Sequence, residues 1–307
     1  MLTCLEVGDK MKYDCLYIII PCFIMALTVW NEIFLNSGFT GNFYTDNISR
    51  TKYISNTYKN ACNNECYASD YLSVCLCNKS FGFIEINYVG VLKNAVIIIT
   101  HSDSDRKKIY HFTEKINPNL TFGDGIYSLQ ILTHHHESFY REIFNEKINV
   151  SLSNHLYPFL IPSPFVWYDN ESYIVKSLFY RVSPYYTCDE IIKLFFNFIT
   201  NEISYDYEFA FKVHHNLITH HVPNLDKIMS TKTGVCFDKA SLFTALLRLN
   251  NIPSRLIIGY YNDELHAWVE IWNPNYDEWI AYDLIFNNTS LFRMRTSDDT
   301  RLILSIH

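Results

Sequence analysis

The sequence predicts an α+β protein: a C-terminal core of mixed helices and strands, preceded by a small antiparallel β-sandwich and an N-terminal hydrophobic segment. Three observations predict it. Short apolar-alternating runs with turn signals between them recur from residue 81 to residue 152. A helical apolar stripe follows Cys236, and after it come two alternating runs, HAWVEIW and EWIAYDL, joined by a polar turn. An uncharged run, CLYIIIPCFIMALTVW, occupies residues 15–30.

The N-terminal run lies between Lys10 and Lys12 on one side and Asn31 and Glu32 on the other. It falls short of the roughly 20 apolar residues that a membrane-spanning helix needs. Basic residues followed by a short apolar run resemble a secretory signal. Asp9 and Asp14 depart from that pattern, and no small-x-small cleavage site follows. Ile33, Phe34 and Leu35 extend the run toward a tilted anchor. Residues 1–36 are therefore read as a signal peptide or membrane anchor. That reading makes the chain exported or membrane-anchored, outside the cytoplasm, with any membrane attachment through the N-terminus. A buried hydrophobic helix is the competing reading.

Residues 37–78 are rich in Asn, Tyr, Ser and Thr with little periodicity, and are read as a cysteine-containing spacer. Four of the nine cysteines (Cys62, Cys66, Cys75 and Cys77) crowd into it. Disulfides suit an extracellular segment. Four thiolates also offer a zinc site, but the spacing matches no common zinc module. Unpaired thiols remain the third reading.

Residues 79–157 are read as a β-sandwich. The strand-like runs are FGFIEINYVGV (81–91), NAVIIIT (94–100), KKIYHF (107–112), GIYSLQILT (125–133) and KINVSL (147–152). Their spacing suits two packed antiparallel sheets. No chemistry is assigned to them. Pro158, Pro162 and Pro164 then mark a boundary, and residues 165–307 form the second domain. Its first clear element is a helix with Thr187 as N-cap and Asp189 and Glu190 in the first turn, where negative charge favours the helix dipole. Ile191, Ile192, Leu194, Phe195, Phe198 and Ile199 form its apolar face.

The chemistry concentrates in residues 231–288. Gly234 permits a tight approach to Cys236. Ala240, Leu242, Phe243, Leu246, Leu247 and Leu249 then make a helical core stripe, ended by Asn250, Asn251 and Pro253. Cys236 thus opens a buried helix, where free N–H groups and the helix dipole favour a thiolate and can receive an oxyanion. His266 opens an alternating strand on which His266, Trp268 and Glu270 share a face. A turn through Asn273–Asp277 returns the chain so that Asp283 can orient the imidazole.

Four ordered motifs carry a resemblance. They are G-V-C-F-D-x-A at 234–240, I-P-S-R at 252–255, H-A-W-V-E at 266–270 and W-x-x-Y-D at 279–283. Together with ISYDYEFA (203–210) and NLDKIMSTKTG (224–234), this stretch resembles the core of the transglutaminase-like superfamily over roughly residues 185–290. The resemblance implies a papain-like α+β scaffold and a Cys236–His266–Asp283 triad. A sandwich-like segment ahead of this core also resembles exported bacterial transglutaminase-like proteins. One departure is that Asp283 is followed by Leu284 and Ile285, where many members read D-P-T/S.

Taken alone, Cys236 reads as a small buried hydrophobe, His266 as a sheet histidine and Asp283 as a turn residue. Their order within matching motifs favours the triad. The implied function is thiol acyl transfer on amide bonds of a peptide or protein through a thioester, given to water (protease or amidase) or to an amine (transglutaminase). Hydrolysis is the favoured branch, because bacterial relatives include proteases and amidases. A catalytically silent surface protein that binds through its sandwich is the alternative. Trp268 and Tyr205 are the candidate substrate-contacting residues, with Tyr207 beside them; Trp268 also reads as core. Arg255 reads as a structural partner of a carboxylate and Asp238 as a first-turn helix residue.

No metal or cofactor is expected. The pairs and runs at His134–His136, His214–His215 and His220–His221 read as surface positions, since adjacent histidines rarely face one ion. No EF-hand-like calcium loop is present. The net charge of −7 and the lack of a Lys/Arg run exclude nucleic acid as an expected partner.

Overall fold

The computed structural model describes residues 65–90, 95–136, 139–177, 182, 186–218, 220–261, 264–285 and 301–307. The N-terminal apolar run lies outside the described residues. Among those described, no helix is long and apolar enough to cross a membrane.

Eight strands come first: β1 (Cys66–Ala68), β2 (Leu72–Cys75), β3 (Glu85–Tyr88), β4 (Ala95–His101), β5 (Ser104–Phe112), β6 (Lys115–Ile116), β7 (Gly125–His136) and β8 (Phe139–Val150). They form two four-stranded antiparallel sheets, ordered β1-β2-β3-β6 and β5-β4-β7-β8. Alternation explains the packing. Leu72, Val74, Ile86 and Tyr88 of the first sheet meet Ala95, Ile97, Ile99, Tyr127, Leu129 and Ile131 of the second in one buried cluster. Side chains two apart on a strand share a face, and each sheet turns one face inward.

The first sheet begins earlier than the sequence reading, inside the segment read as spacer. Cys66 stands opposite Cys75 in register, and the two are disulfide-bonded. Strands of three and four residues are too short to display a periodicity, so β1 and β2 left no clear pattern. The structure also adds β6 and carries β8 back to Phe139.

Next come α1 (Tyr173–Lys176), α2 (Cys188–Glu202), β9 (Ser204–Tyr205), α3 (Tyr207–His214), α4 (Leu225–Thr231), β10 (Thr233–Gly234), α5 (Cys236–Leu249), β11 (Ser254–Tyr261), β12 (Glu264–Asn273), β13 (Glu278–Tyr282) and β14 (Arg301–Ile306). Strands β13-β12-β11-β14 make an antiparallel sheet in that order, and β9 and β10 make a short parallel pair. Helix α2 starts with a complete capping box. The Thr187 N–H donates to Glu190 Oε2 at 2.7 Å, and the Glu190 N–H donates to Thr187 Oγ1 at 3.3 Å.

Helix α5 is the axis of this half. Every residue from Asp238 to Leu249 is buried. Its stripe packs with α2 and with Ala267, Val269 and Ile271, which share one face of β12. Trp268 points the other way and packs with Ile257 and Ala281. A fully buried Leu or Phe contributes roughly 1.5–3 kcal/mol, so this one helix anchors much of the domain. It ends at Asn250, with Asn251 in the left-handed region at φ 60°. Phe165, in the proline-rich connection, packs against both hydrophobic clusters.

Candidate active site

Three elements converge at the start of α5. The β9–β10 pair sets Tyr205 opposite Gly234 and so leads the chain into Cys236. The β11–β12 ladder sets His266 opposite Gly259. The β12–β13 hairpin runs to Tyr282, opposite Val269, and Asp283 follows directly.

His266 and Asp283 meet in the interior, with 7% and 0% of their side chains exposed. His266 Nε2 lies 2.6 Å from Asp283 Oδ2. The other carboxylate oxygen accepts the N–H of Ile285 at 2.7 Å, so both oxygens are held. Leu284-Ile285 therefore makes a turn that still orients the carboxylate. The remaining ring nitrogen is Nδ1, and Cys236 is close enough to favour the charged imidazole. The structure thus brings Cys236, His266 and Asp283 to one place, with His266 bonded to Asp283. Cys236 is partly exposed, so reagents can reach it. Burial disfavours the imidazolium of His266, but Asp283 and then Cys236 outweigh it, and the pKa is pushed up to about 9. Lys239, one turn along α5 and 4% exposed, is lowered by burial and partly restored by the charge of Asp283.

The start of α5 presents donors. In any α-helix the first N–H groups lack intrahelical acceptors. Here the Val235 N–H donates to Asp238 Oδ2 at 3.0 Å, and the first helical bond runs from the Lys239 N–H to the Val235 carbonyl. The N–H groups of Cys236 and Phe237 face no carbonyl within the helix. Gly234 is required by closeness: a Cβ there would stand 2.7 Å from the Asp238 Cβ.

Tyr205 is half-buried beside this site. Burial first, then the charges of Cys236, Tyr207 and Glu264, push its hydroxyl up to about 12, so it stays a proton donor at neutral pH. Tyr207 packs edge-on against it at 5.0 Å and is itself 79% exposed. Trp268 is fully buried, its ring stacked along His266 at 6.3 Å, so it meets the imidazole from behind and not from solvent. Its indole N–H reaches Glu270 Oε1 at 3.5 Å, and the other oxygen of that carboxylate accepts the Arg255 Nε–H at 2.7 Å. Arg255 also lies over the Trp279 ring at 4.3 Å. It pairs a carboxylate away from Cys236.

One histidine read as a surface position is built into the site. His221 Nε2 lies 2.7 Å from Asp238 Oδ1. The contact joins residues 17 apart across α4, and nothing in the local pattern of either residue foretells it. Among the described residues, no group of three or more His, Cys, Asp or Glu side chains is arranged to hold a metal ion.

Residues 180–284 match the family model described as Transglutaminase-like superfamily. The protein-glutamine gamma-glutamyltransferase of Pseudomonas aeruginosa is 32% identical over a stretch covering 19% of this chain and 11% of that protein. The peptide-N(4)-(N-acetyl-beta-glucosaminyl)asparagine amidase of Kluyveromyces lactis is 33% identical over 19% of this chain and 15% of its own length. The chain therefore spans well under a fifth of either curated relative. The crystal structure of a proposed cysteine protease from Cytophaga hutchinsonii overlays at a TM-score of 0.38 with 14% identity, covering 80% of this chain and 74% of that one.

Proposed function

We propose that the transglutaminase-like domain at residues 180–284 makes this chain a thiol acyl-transfer enzyme acting on amide bonds of peptides or proteins. The observation that carries the proposal is the buried His266–Asp283 hydrogen bond beside Cys236, with the thiol at the opening turn of a buried helix. A carboxylate at Nε2 holds His266 in the tautomer and orientation that leave Nδ1 for the thiol proton, and it stabilises the imidazolium that results.

In this mechanism the Cys236 proton passes to His266 Nδ1, and the thiolate attacks the amide carbonyl. The carbonyl oxygen gains the negative charge and is received by the N–H groups opening α5, with the Tyr205 hydroxyl as a further donor beside the thiol. Collapse of the tetrahedral intermediate breaks the C–N bond, and His266 returns its proton to the leaving amine. The thioester then acylates water or a second amine, and the thiol is restored. Hydrolysis and transfer use the same three residues. Exclusion of water around the thioester separates them, and the partial exposure of Cys236 leans toward hydrolysis.

The test is the pH dependence of Cys236 alkylation by iodoacetamide, read by mass spectrometry, in wild type and His266→Ala. An ordinary thiol titrates near ~8.5. Fast alkylation below neutral pH that His266→Ala abolishes is the expected result. Slow alkylation with the same ordinary profile in both proteins would sink the proposal. The mass change on a glutamine peptide then separates the branches. Cleavage or deamidation marks hydrolysis, and incorporation of an added amine marks transfer.

A further inference from the structure

We propose that His221 is a positioning residue for this chemistry: with Asp238 it clamps the Val235–Cys236 turn, so that the N–H groups opening α5 face the developing oxyanion. The inference rests on the enzyme reading above.

The clamp is built from both oxygens of one buried carboxylate. Asp238 is 5% exposed. Its Oδ2 accepts the Val235 N–H at 3.0 Å and its Oδ1 meets His221 Nε2 at 2.7 Å. The side chain can lie there because Gly234 has no Cβ. His221 is itself fixed. Its ring lies against Phe209 of α3 at 4.7 Å and against Phe237 of α5 at 6.0 Å, both edge-on. The neighbouring His220 meets His111 of β5 at 4.8 Å, so the loop carrying His221 is also held against the sandwich.

Chemistry follows from this arrangement. The carboxylate withdraws the Val235 N–H from use, so the nearest open donors are those of Cys236 and Phe237. Their direction depends on the turn that precedes them, and the turn is pinned by Asp238. A carboxylate held by Val235 alone can swing toward water, whereas one held at both oxygens cannot. Oxyanion donors act only when aimed at where charge develops, and small misplacements of a reacting geometry cost rate steeply. His221 contacts Asp238, Phe209 and Phe237, so on this proposal it acts through the turn; its effect should fall on acylation and spare the intrinsic reactivity of the thiol.

The experiment compares two readouts on the full chain. The first is the single-turnover acylation of Cys236 by p-nitrophenyl acetate, followed as a burst of p-nitrophenolate, with its limiting rate and half-saturation concentration. The second is the plateau rate of iodoacetamide alkylation above the thiol's titration, which needs the thiolate but no oxyanion donors. His221→Ala is expected to lower the limiting acylation rate about tenfold, with half-saturation nearly unchanged and plateau alkylation within about twofold. His221→Gln, whose amide N–H can reach the same Asp238 oxygen, is expected to restore most of the rate. An unchanged burst in His221→Ala overturns the clamp. So does an equal loss in both readouts, which is what general loosening of the fold produces. A wild-type protein that alkylates normally but gives no burst removes the enzyme reading, and the clamp with it.

Discussion

Two histidine–aspartate pairs flank the same thiol, and they differ in depth and in what their spare atoms do. His266–Asp283 is buried, at 7% and 0% exposure, and Cys236 lies close enough to its imidazole to favour the charged form. His221–Asp238 keeps 27% of its histidine side chain in solvent, and its spare carboxylate oxygen goes to a backbone N–H. The heavy-atom separations are nearly the same, 2.6 and 2.7 Å. Pair geometry alone therefore does not distinguish a proton-transfer device from a structural brace. What lies beside each pair does, because the inner imidazole has the Cys236 thiol as a neighbour and the outer carboxylate has the Val235 N–H.

The largest expected effect comes from cutting the inner pair without changing its shape. Asp283→Asn keeps the size of the side chain but cannot stabilise an imidazolium, and it favours the wrong tautomer of His266. Loss of the orienting carboxylate in a comparable triad costs on the order of 10⁴ in rate, so a fall of roughly a thousandfold or more in acylation of Cys236 is expected. Asp238→Asn, which can still accept the Val235 N–H, should cost far less. If the two variants fall equally, the distinction between the pairs fails.

A second effect separates the pairs by pH. The His266 imidazolium is held to about 9 in the folded chain, against an ordinary value of 6.5. The folded protein therefore keeps a proton that the unfolded chain gives up. The stabilisation is whole below about 6.5 and is lost as pH rises through about 9; its size is on the order of 3 kcal/mol. Urea unfolding of wild type against His266→Gln should show the wild-type advantage shrinking across that window. A difference that stays constant from pH 6 to 9.5 would mean the inner pair is not held as an ion pair.

How much of this was legible in the sequence follows from the range of each interaction. Thr187 and Glu190 are three residues apart and were readable as a cap. The alternation of Ala267, Val269 and Ile271 against His266, Trp268 and Glu270 was readable because a strand repeats every two residues. The helix after Cys236 was readable from its stripe and its asparagine stop. Disulfides were one of three readings of the cysteine cluster, but the Cys66–Cys75 pairing was not legible, nor was His221–Asp238. The first lies in strands too short to show a period, and the second depends on a loop folding back across α4. Trp268 carried two readings, core and substrate contact, because a motif gives the identity of a residue and not its depth; the structure puts its ring in the interior.

The smallest expected effect tests the outer pair by steric means, with every charge left in place. Gly234→Ala would place a methyl group 2.7 Å from the Asp238 Cβ. The obstacle is the root of a side chain and not its flexible end, so α5's first turn or the β10 approach must shift. Overpacking of this kind typically costs ~1–3 kcal/mol. Thermal unfolding should show a modest drop. The informative comparison is with His221→Ala: one variant crowds Asp238 from the Gly234 side, and the other removes its partner on the far side. If Gly234→Ala slows acylation by p-nitrophenyl acetate and spares plateau alkylation, the carboxylate acts through the turn it pins. If it lowers stability and leaves acylation untouched, Asp238 serves the helix start alone, and the outer pair is a brace with no bearing on the thiol.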